Sequence, residues 1–445
     1  MNLRAPIFIL AAILTLSSCQ KDTDPNDVLD ADLLNAITAN SGGEGVSAFI
    51  LPSSDDFANI PQDPLNPITA EKVELGRFLF HETHLATNNK YEEGEHTFSC
   101  ASCHHAAGGF QANRVQGIGD GGIGFGQAGE GRTIHPTYSI DSLDVQPIRT
   151  PTALNAAYQQ VHLWNGQFGA TGMNTGTESQ WTEGTPKAVN ALGFEGVETQ
   201  AIAGLTVHRM VIDPDYISTS DYKALFDAAF GYLSPGERYT ATTAGLAIAA
   251  YERTILANQS PWQDYLKGNL NALSDAEKRG AILFFEKGEC ASCHTGPALN
   301  SMSFHALGMD DLDGPGVYGS VDVATEKGRG GFTGKEEDNF KFKTPTLYNL
   351  INSPFYGHGG TFRSVKEVIE YKNEAIPSNP LVPLAQLADG FKPLGLTETE
   401  IEDLTVFIES SLNDRNLFRY EPATLPSGYC FPNNDNISQL DLGCN

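Results

Sequence analysis

Cys100-Ala101-Ser102-Cys103-His104 recurs, residue for residue, as Cys290-Ala291-Ser292-Cys293-His294. Each stretch is a C-x-x-C-H. Two thiols at this spacing can add across the two vinyl groups of one porphyrin. The histidine that follows is then held beneath the ring, where its imidazole can bind iron. The duplicated stretch therefore predicts two covalent haem c groups, one on Cys100, Cys103 and His104 and one on Cys290, Cys293 and His294. The competing chemistries need more than the chain offers. Structural zinc needs four ligands in a closed shell, and a redox dithiol needs a surrounding βαβ pattern; neither is visible around these motifs.

The remaining composition narrows the partners. The 445 residues suffice for two or three domains, and with 40% hydrophobic and 19% charged residues the chain is globular. Its net charge is -27, from 55 acidic against 28 basic residues, which argues against nucleic acid and against anionic membrane surfaces. The same charge would steer a cationic partner, although solubility alone also accounts for it.

The first residues read as an export signal. Arg4 supplies the positive end, Ile7 to Leu16 the apolar run, and Leu16-Ser17-Ser18-Cys19 closes it. The run is far shorter than the roughly 20 residues that span a bilayer. The closing four residues resemble a bacterial lipobox, which implies that residues 1–18 are removed and that Cys19 carries a lipid. An ordinary secretory signal is the alternative. Both place the chain in the periplasm, the first on an outer-membrane anchor, and both permit disulfides. Of seven cysteines, four are assigned to haem and one to lipid. Cys430 and Cys444 remain and are expected to form a disulfide in a tail, residues 413–445.

Between leader and tail the chain reads as mainly α, with two cytochrome c-like haem domains in tandem, long loops and little strand. Residues 19–65 are acidic and rich in Asn, Asp, Ser, Gly and Pro, and are expected to be a tether with little structure. The two domains are expected over residues 66–265 and 266–412. An internal repeat supports the duplication. Arg149-Thr150-Pro151-Thr152-Ala153-Leu154-Asn155 matches Lys343-Thr344-Pro345-Thr346-Leu347-Tyr348-Asn349. Trp164-Asn165-Gly166 and His358-Gly359-Gly360 follow at the same interval. Leu75-Gly76-Arg77-Phe78-Leu79-Phe80 matches Arg279-Gly280-Ala281-Ile282-Leu283-Phe284 ahead of the two haem motifs. An insertion at about 168–194 interrupts the first copy and is expected to be a surface loop. Helix starts are marked by Ser274-Asp275-Ala276-Glu277, Ser364-Val365-Lys366-Glu367 and Thr397-Glu398-Thr399-Glu400. Gly117 to Gly131 holds eight glycines in fifteen residues and is expected to be mobile; His135 lies just beyond it.

Taken together, the two C-x-x-C-H motifs, the repeated (Arg/Lys)-Thr-Pro-Thr-x-x-Asn and Trp164-Asn165-Gly166 resemble the bacterial di-haem cytochrome c peroxidase family. That family includes the di-haem enzyme of methylamine utilisation. The resemblance spans residues 66 to 412. It implies that haem 1, on His104, binds hydrogen peroxide. Haem 2, on His294, would take electrons from a small cytochrome c or cupredoxin, with Trp164 lying between the haems. It makes His135 the candidate for a releasable outer ligand of haem 1, and a homodimer possible. A partner-modifying oxidase and a non-enzymatic electron carrier are the alternatives.

The chain departs from the family's pattern at three points. Where the family places a glutamate to move the proton during peroxide cleavage, the sequence reads Val207-His208-Arg209-Met210. His208 is expected to move the proton and Arg209 to stabilise charge on the departing oxygen, with Glu195 or Glu198 as the alternative. At the position of the family's outer ligand to haem 2 stands Lys372, continuing the apolar stripe Val365, Val368, Ile369. A buried amine tends to lose its proton and can then bind iron. Tyr371, Met302 and Met309 are the other candidates. Finally, the family commonly holds calcium between its domains, and the matching side chain here is Arg149, a cation that would repel it.

Overall fold

A computed structural model describes residues 25–444; the leader and Cys19 lie outside the described residues. Helices carry the fold. Eight of them frame the haem sites: α1 (Pro25–Ala39), α2 (Ala70–His81), α3 (Gly196–Val207), α4 (Ala241–Thr254), α5 (Asp275–Phe285), α6 (Val365–Glu374), α7 (Glu398–Val406) and α8 (Asn436–Leu442). Strand among the described residues is confined to two antiparallel pairs of two residues each, Gly122–Ile123 with Thr133–Ile134 and Phe304–His305 with Phe342–Lys343.

The duplicated sequence folds as duplicated structure. In the first half α2 crosses α4, and in the second α5 crosses α7. The matched glycines sit at the two crossings. A Cβ on Gly76 would overlap the carbonyl of Ala247 in α4, and one on Gly280 the carbonyl of Asp403 in α7. Glycine is required there because the backbones touch. The matched asparagines are equivalent too. Asn155 and Asn349 both take a left-handed backbone (φ 59° and 56°). Their N–H groups donate to Ile255 O, just past α4, and to Leu412 O, just past the π turn Phe407–Ser411 that continues α7 (2.8 and 3.1 Å). On α2 the sequence suggests an apolar face of Val73, Phe78 and Leu79; Leu79 is buried, together with Leu75 and Phe80 around Gly76, while Val73 and Phe78 are half-buried.

Helix starts follow the capping residues. Ser274 and Thr397 each accept from the N–H three residues on, and Glu277 and Glu400 return the bond. Ser364 caps α6 through the Glu367 N–H, but the Glu367 carboxylate accepts from Arg363 N–H, so that box is not closed.

Two expectations about flexible segments are overturned. Residues 25–65 of the expected tether are folded. Helix α1 lies against α5, with Leu33 and Ile37 fully buried and Lys278 paired to Asp30 at 2.7 Å. The acidic composition hid an apolar stripe that the second half needs to cover α5. The glycine-rich loop is also closed rather than mobile. Arg132, 1% exposed, donates to Ile118 O and Gly119 O (2.7 and 2.9 Å). The tail locks the loop's outer side: Asp435 accepts from Gly124 N–H (3.0 Å), and Asp441 from Phe125 and Gly126 N–H (2.9 and 2.8 Å). That tail is tied by a disulfide between Cys430 and Cys444. The insertion at 168–194 carries two fully buried asparagines, Asn174 and Asn190, whose amides hold its turns.

Candidate haem centres

The second centre forms where α5 runs into the turn Cys290–Ser292. The His294 Nδ1 faces Leu299 O and Pro345 O at 3.0 and 3.1 Å. A carbonyl only accepts, so Nδ1 carries the proton and Nε2 keeps its lone pair. Burial pushes this histidine down to about 4, so the ring is neutral at pH 7. A cavity of about 870 Å³ lies over it, lined by Cys290, Cys293, His294, Trp164, Met309 and Lys372 among others. Two adjacent thiols, a neutral imidazole with a free Nε2 and an enclosed apolar space of this size fit a haem.

The first centre is built the same way on the turn Cys100–Ser102. The His104 Nδ1 faces Phe110 O at 3.1 Å, and burial again lowers its value to about 4. The thiol of Cys103 is pushed up to about 12 by burial, so it is held as the thiol. Gly117 closes over it: a Cβ there would come within 2.7 Å of Cys103 Sγ. Gly117 therefore serves close approach to a haem-binding residue.

His208 and Arg209 follow the end of α3, and each meets a carboxylate. His208 Nδ1 lies 2.9 Å from Asp144 Oδ2. Arg209 pairs with Asp120, whose carboxyl is fully buried, and also donates to Ser142 O at 2.9 Å. Arg209 takes a left-handed backbone (φ 58°), which turns its side chain back to that pair. The backbones of the two aspartates are joined, Asp144 N–H donating to Asp120 O at 2.9 Å. Burial lowers the His208 value, but the Asp144 carboxylate beside it outweighs burial, and the net shift is upward. His208 lies close enough to His104 for its charge to depress that residue's value. A histidine held by an aspartate at Nδ1 keeps Nε2 as an acid/base atom.

The other candidates fall out differently. His135 is partly exposed; its Nδ1 bonds Thr137 Oγ1 (2.8 Å) and its ring packs on Tyr138. The closed loop keeps it there, and the histidine that the fold brings toward His104 is His208. Glu198 is fully buried and bound through both carboxylate oxygens to Arg253 (2.8 and 2.7 Å), which also takes Glu195. That ion pair joins α3 to α4, and a carboxylate so committed is a poor proton carrier. Trp164 donates its indole N–H to Arg149 O at 2.9 Å and packs edge-on to His358, its counterpart in the repeat. Lys372 and Met309 line the cavity over His294, whereas Met302 and Tyr371 are not among its lining residues. The Tyr371 hydroxyl donates to Leu307 O at 2.7 Å. Burial lowers the Lys372 value, and its ammonium lies over the Phe391 ring.

Asp120 and Asp144 were not singled out in the sequence. They stand 89 and 64 residues from their partners, inside the glycine-rich stretch and just after it. No local signal marks them; only in the folded chain does Gly119 make room for one, since a Cβ there would strike the Asp144 carboxylate.

Comparison with known proteins agrees with this geometry. Residues 70–271 match the family model for di-haem cytochrome c peroxidase. Over those residues the chain is similar to the di-haem cytochrome c peroxidases. Among its relatives is cytochrome-c peroxidase IdrP1 of Denitromonas iodatirespirans, 29% identical over 88% of this chain and 94% of the relative. Methylamine utilization protein MauG of Methylorubrum extorquens is 26% identical over 83% of this chain and 84% of the relative. In fold the chain is similar to a MauG-like protein associated with microbial copper homeostasis, with 24% identity, 82% and 95% coverage and a TM-score of 0.56. This similarity to di-haem proteins supports haem c as the cofactor of the two centres.

Proposed function

We propose that the protein is a periplasmic peroxidase that reduces hydrogen peroxide to water with electrons from a small cytochrome c or cupredoxin. The observation that carries this reading is the pair of buried-carboxylate partners, His208–Asp144 and Arg209–Asp120, on the His104 side. Peroxide takes two electrons and two protons and leaves as two waters. Haem supplies the electron chemistry when bound, covalently through Cys100 and Cys103 and through Cys290 and Cys293. The chain supplies the proton path. Neutral His208 Nε2 accepts the proton of the inner peroxide oxygen and returns it to the outer one, while Asp144 holds the ring's other face. Arg209 offers positive charge to the departing oxygen from a fixed position.

Electron entry at the second centre is supported by the surface around its cavity. Ile376, Leu381 and Leu384 are exposed by 65%, 57% and 76%, in the same segment as the lining residues Val382 and Ala385. Glu337 and Asp389 also line that cavity. An apolar patch with an acidic rim suits a basic redox protein with an apolar contact face. A tyrosine-ligated haem 2 would favour the partner-modifying oxidase, and the position of Tyr371 weighs against it. The leader implies export and anchoring through Cys19.

The test is peroxide turnover with reduced cytochrome c as donor. His208→Ala is expected to lose at least about 100-fold in peroxide turnover with both haems retained. Turnover within a few fold of the parent would remove His208 from the mechanism.

A further inference from the structure

The residues between the two halves do not fit the calcium ion that the family resemblance implies. Arg149 stands in the matching side-chain position, and it is 1% exposed. Its guanidinium meets no carboxylate. Instead it donates to oxygens drawn from both halves. On its own side these are Arg114 O (2.6 Å), Ala112 O (3.0 Å) and Gln111 Oε1 (2.9 Å). Across the joint they are Phe355 O (2.8 Å) and Ser353 Oγ (2.6 Å). Calcium binds by collecting six to eight such oxygens, usually with carboxylates among them. Here five oxygens already receive N–H donors, and a fixed positive charge sits at their centre.

We infer that the guanidinium of Arg149 is itself the cation that joins the two halves, so the joint is independent of calcium. The repeat strengthens this. Lys343 occupies the equivalent position in the second copy and is also buried without a carboxylate. Its ammonium reaches the opposite way, to Gln159 and to Val161 O of the first half. Each half thus sends a buried basic side chain into oxygens of the other, and burial lowers Lys343 to about 7, so of the two Arg149 is the one that stays charged. Gly360, in the glycine pair after His358, makes room: a Cβ there would lie 3.0 Å from Arg149 Cδ. Burial lowers Arg149 to about 9, which still leaves it charged at neutral pH. Its backbone is engaged as well, accepting the Trp164 indole N–H and donating to His358 O at 2.9 Å. The same residue that ties the halves therefore also fixes the indole of Trp164, which lines the cavity over His294. A guanidinium suits this role better than an ammonium because its planar fork serves several acceptors at once.

The experiment uses the full-length holoprotein. Thermal unfolding and the haem absorption spectrum are recorded with excess EGTA and with millimolar calcium, and bound calcium is measured by elemental analysis. The expected result is no stoichiometric calcium and a Tm that moves by no more than about 1 °C under either treatment. Stoichiometric calcium, or a Tm that falls in EGTA, would overturn the inference. In parallel, Arg149→Gln is expected to lower Tm by roughly 4–8 °C, consistent with loss of a buried hydrogen-bonded charge. Arg149→Lys should fall between the two. An Arg149→Gln protein that melts with the parent would show that the guanidinium is not the joint. The calcium measurement on the parent protein stands whether or not the variants fold, and neither result depends on the oxidant the haems use.

Discussion

At the scale of single residues, the chemistry of the first centre turns on who touches His208. Burial lowers its value and Arg209 adds to that, while the Asp144 carboxylate raises it and prevails. The base form is the neutral ring, so activity should fall as pH drops through the His208 value. Because Asp144 raises that value, the acid limb lies higher than an ordinary histidine would give. Asp144→Asn keeps a hydrogen-bond acceptor but removes the charge, leaving burial to dominate. The acid limb of kcat/KM for peroxide is then expected to move to lower pH, with turnover about 10-fold lower from the weakened hold on the ring. A limb that stays in place in Asp144→Asn would exclude the carboxylate as the group that tunes His208. The sequence offered His208 and Arg209 by their place where the family carries its glutamate, yet it offered nothing for their partners. Pairings across 64 and 89 residues depend on how the glycine-rich loop folds, and no local spacing encodes that.

At the scale of elements, legibility tracked periodicity and chain-local chemistry. Gly76 and Gly280 were matched as letters in a repeat, and the structure supplies the reason, since both sit where helices cross. Helix α1 was missed because its stripe of Leu33, Ala36 and Ile37 is embedded in acidic sequence, and composition averages such a stripe away. The apolar face of α6 was read correctly at Val365 and Ile369, both buried, and the same spacing carries Lys372 to the cavity. Helix geometry is what makes a lysine an iron-ligand candidate here: three and four residues from its apolar neighbours, it must enter the space they enclose. Its ammonium lies over the Phe391 ring beside the two haem-binding thiols, and burial pulls its value down, toward the form that can bind iron. We propose Lys372 as the outer ligand of haem 2, with Met309 the competing donor. Near-infrared charge-transfer bands of the oxidised protein should shift in Lys372→Ala and persist in Met309→Ala. The reverse pattern would assign the methionine.

At the scale of the whole molecule, the first centre is completed by the last residues of the chain. Ser99 and Ser102, flanking and within the first haem turn, both donate to Pro432 O (2.9 and 3.1 Å). Asp435 and Asp441 hold the far side of the glycine-rich loop, which also carries Asp120 and Gly117. The tail thus links the haem turn to the loop that presents the carboxylate partner of Arg209. Cys430 and Cys444 enclose this clasp in one disulfide, 14 residues apart. A cross-link over a loop of that length limits the unfolded chain and contributes about 3 kcal/mol in the loop-entropy account. Replacing both cysteines by serine should therefore lower global stability by a few kcal/mol in denaturant titration. The loss should not spread evenly. Amide exchange is expected to quicken first at residues 117–131, whose N–H groups the tail carboxylates accept, while the α5–α7 crossing in the other half stays protected until global unfolding. If exchange rose equally in both halves, the tail would be a general staple. Faster exchange confined to the loop would make it the wall of the peroxide site.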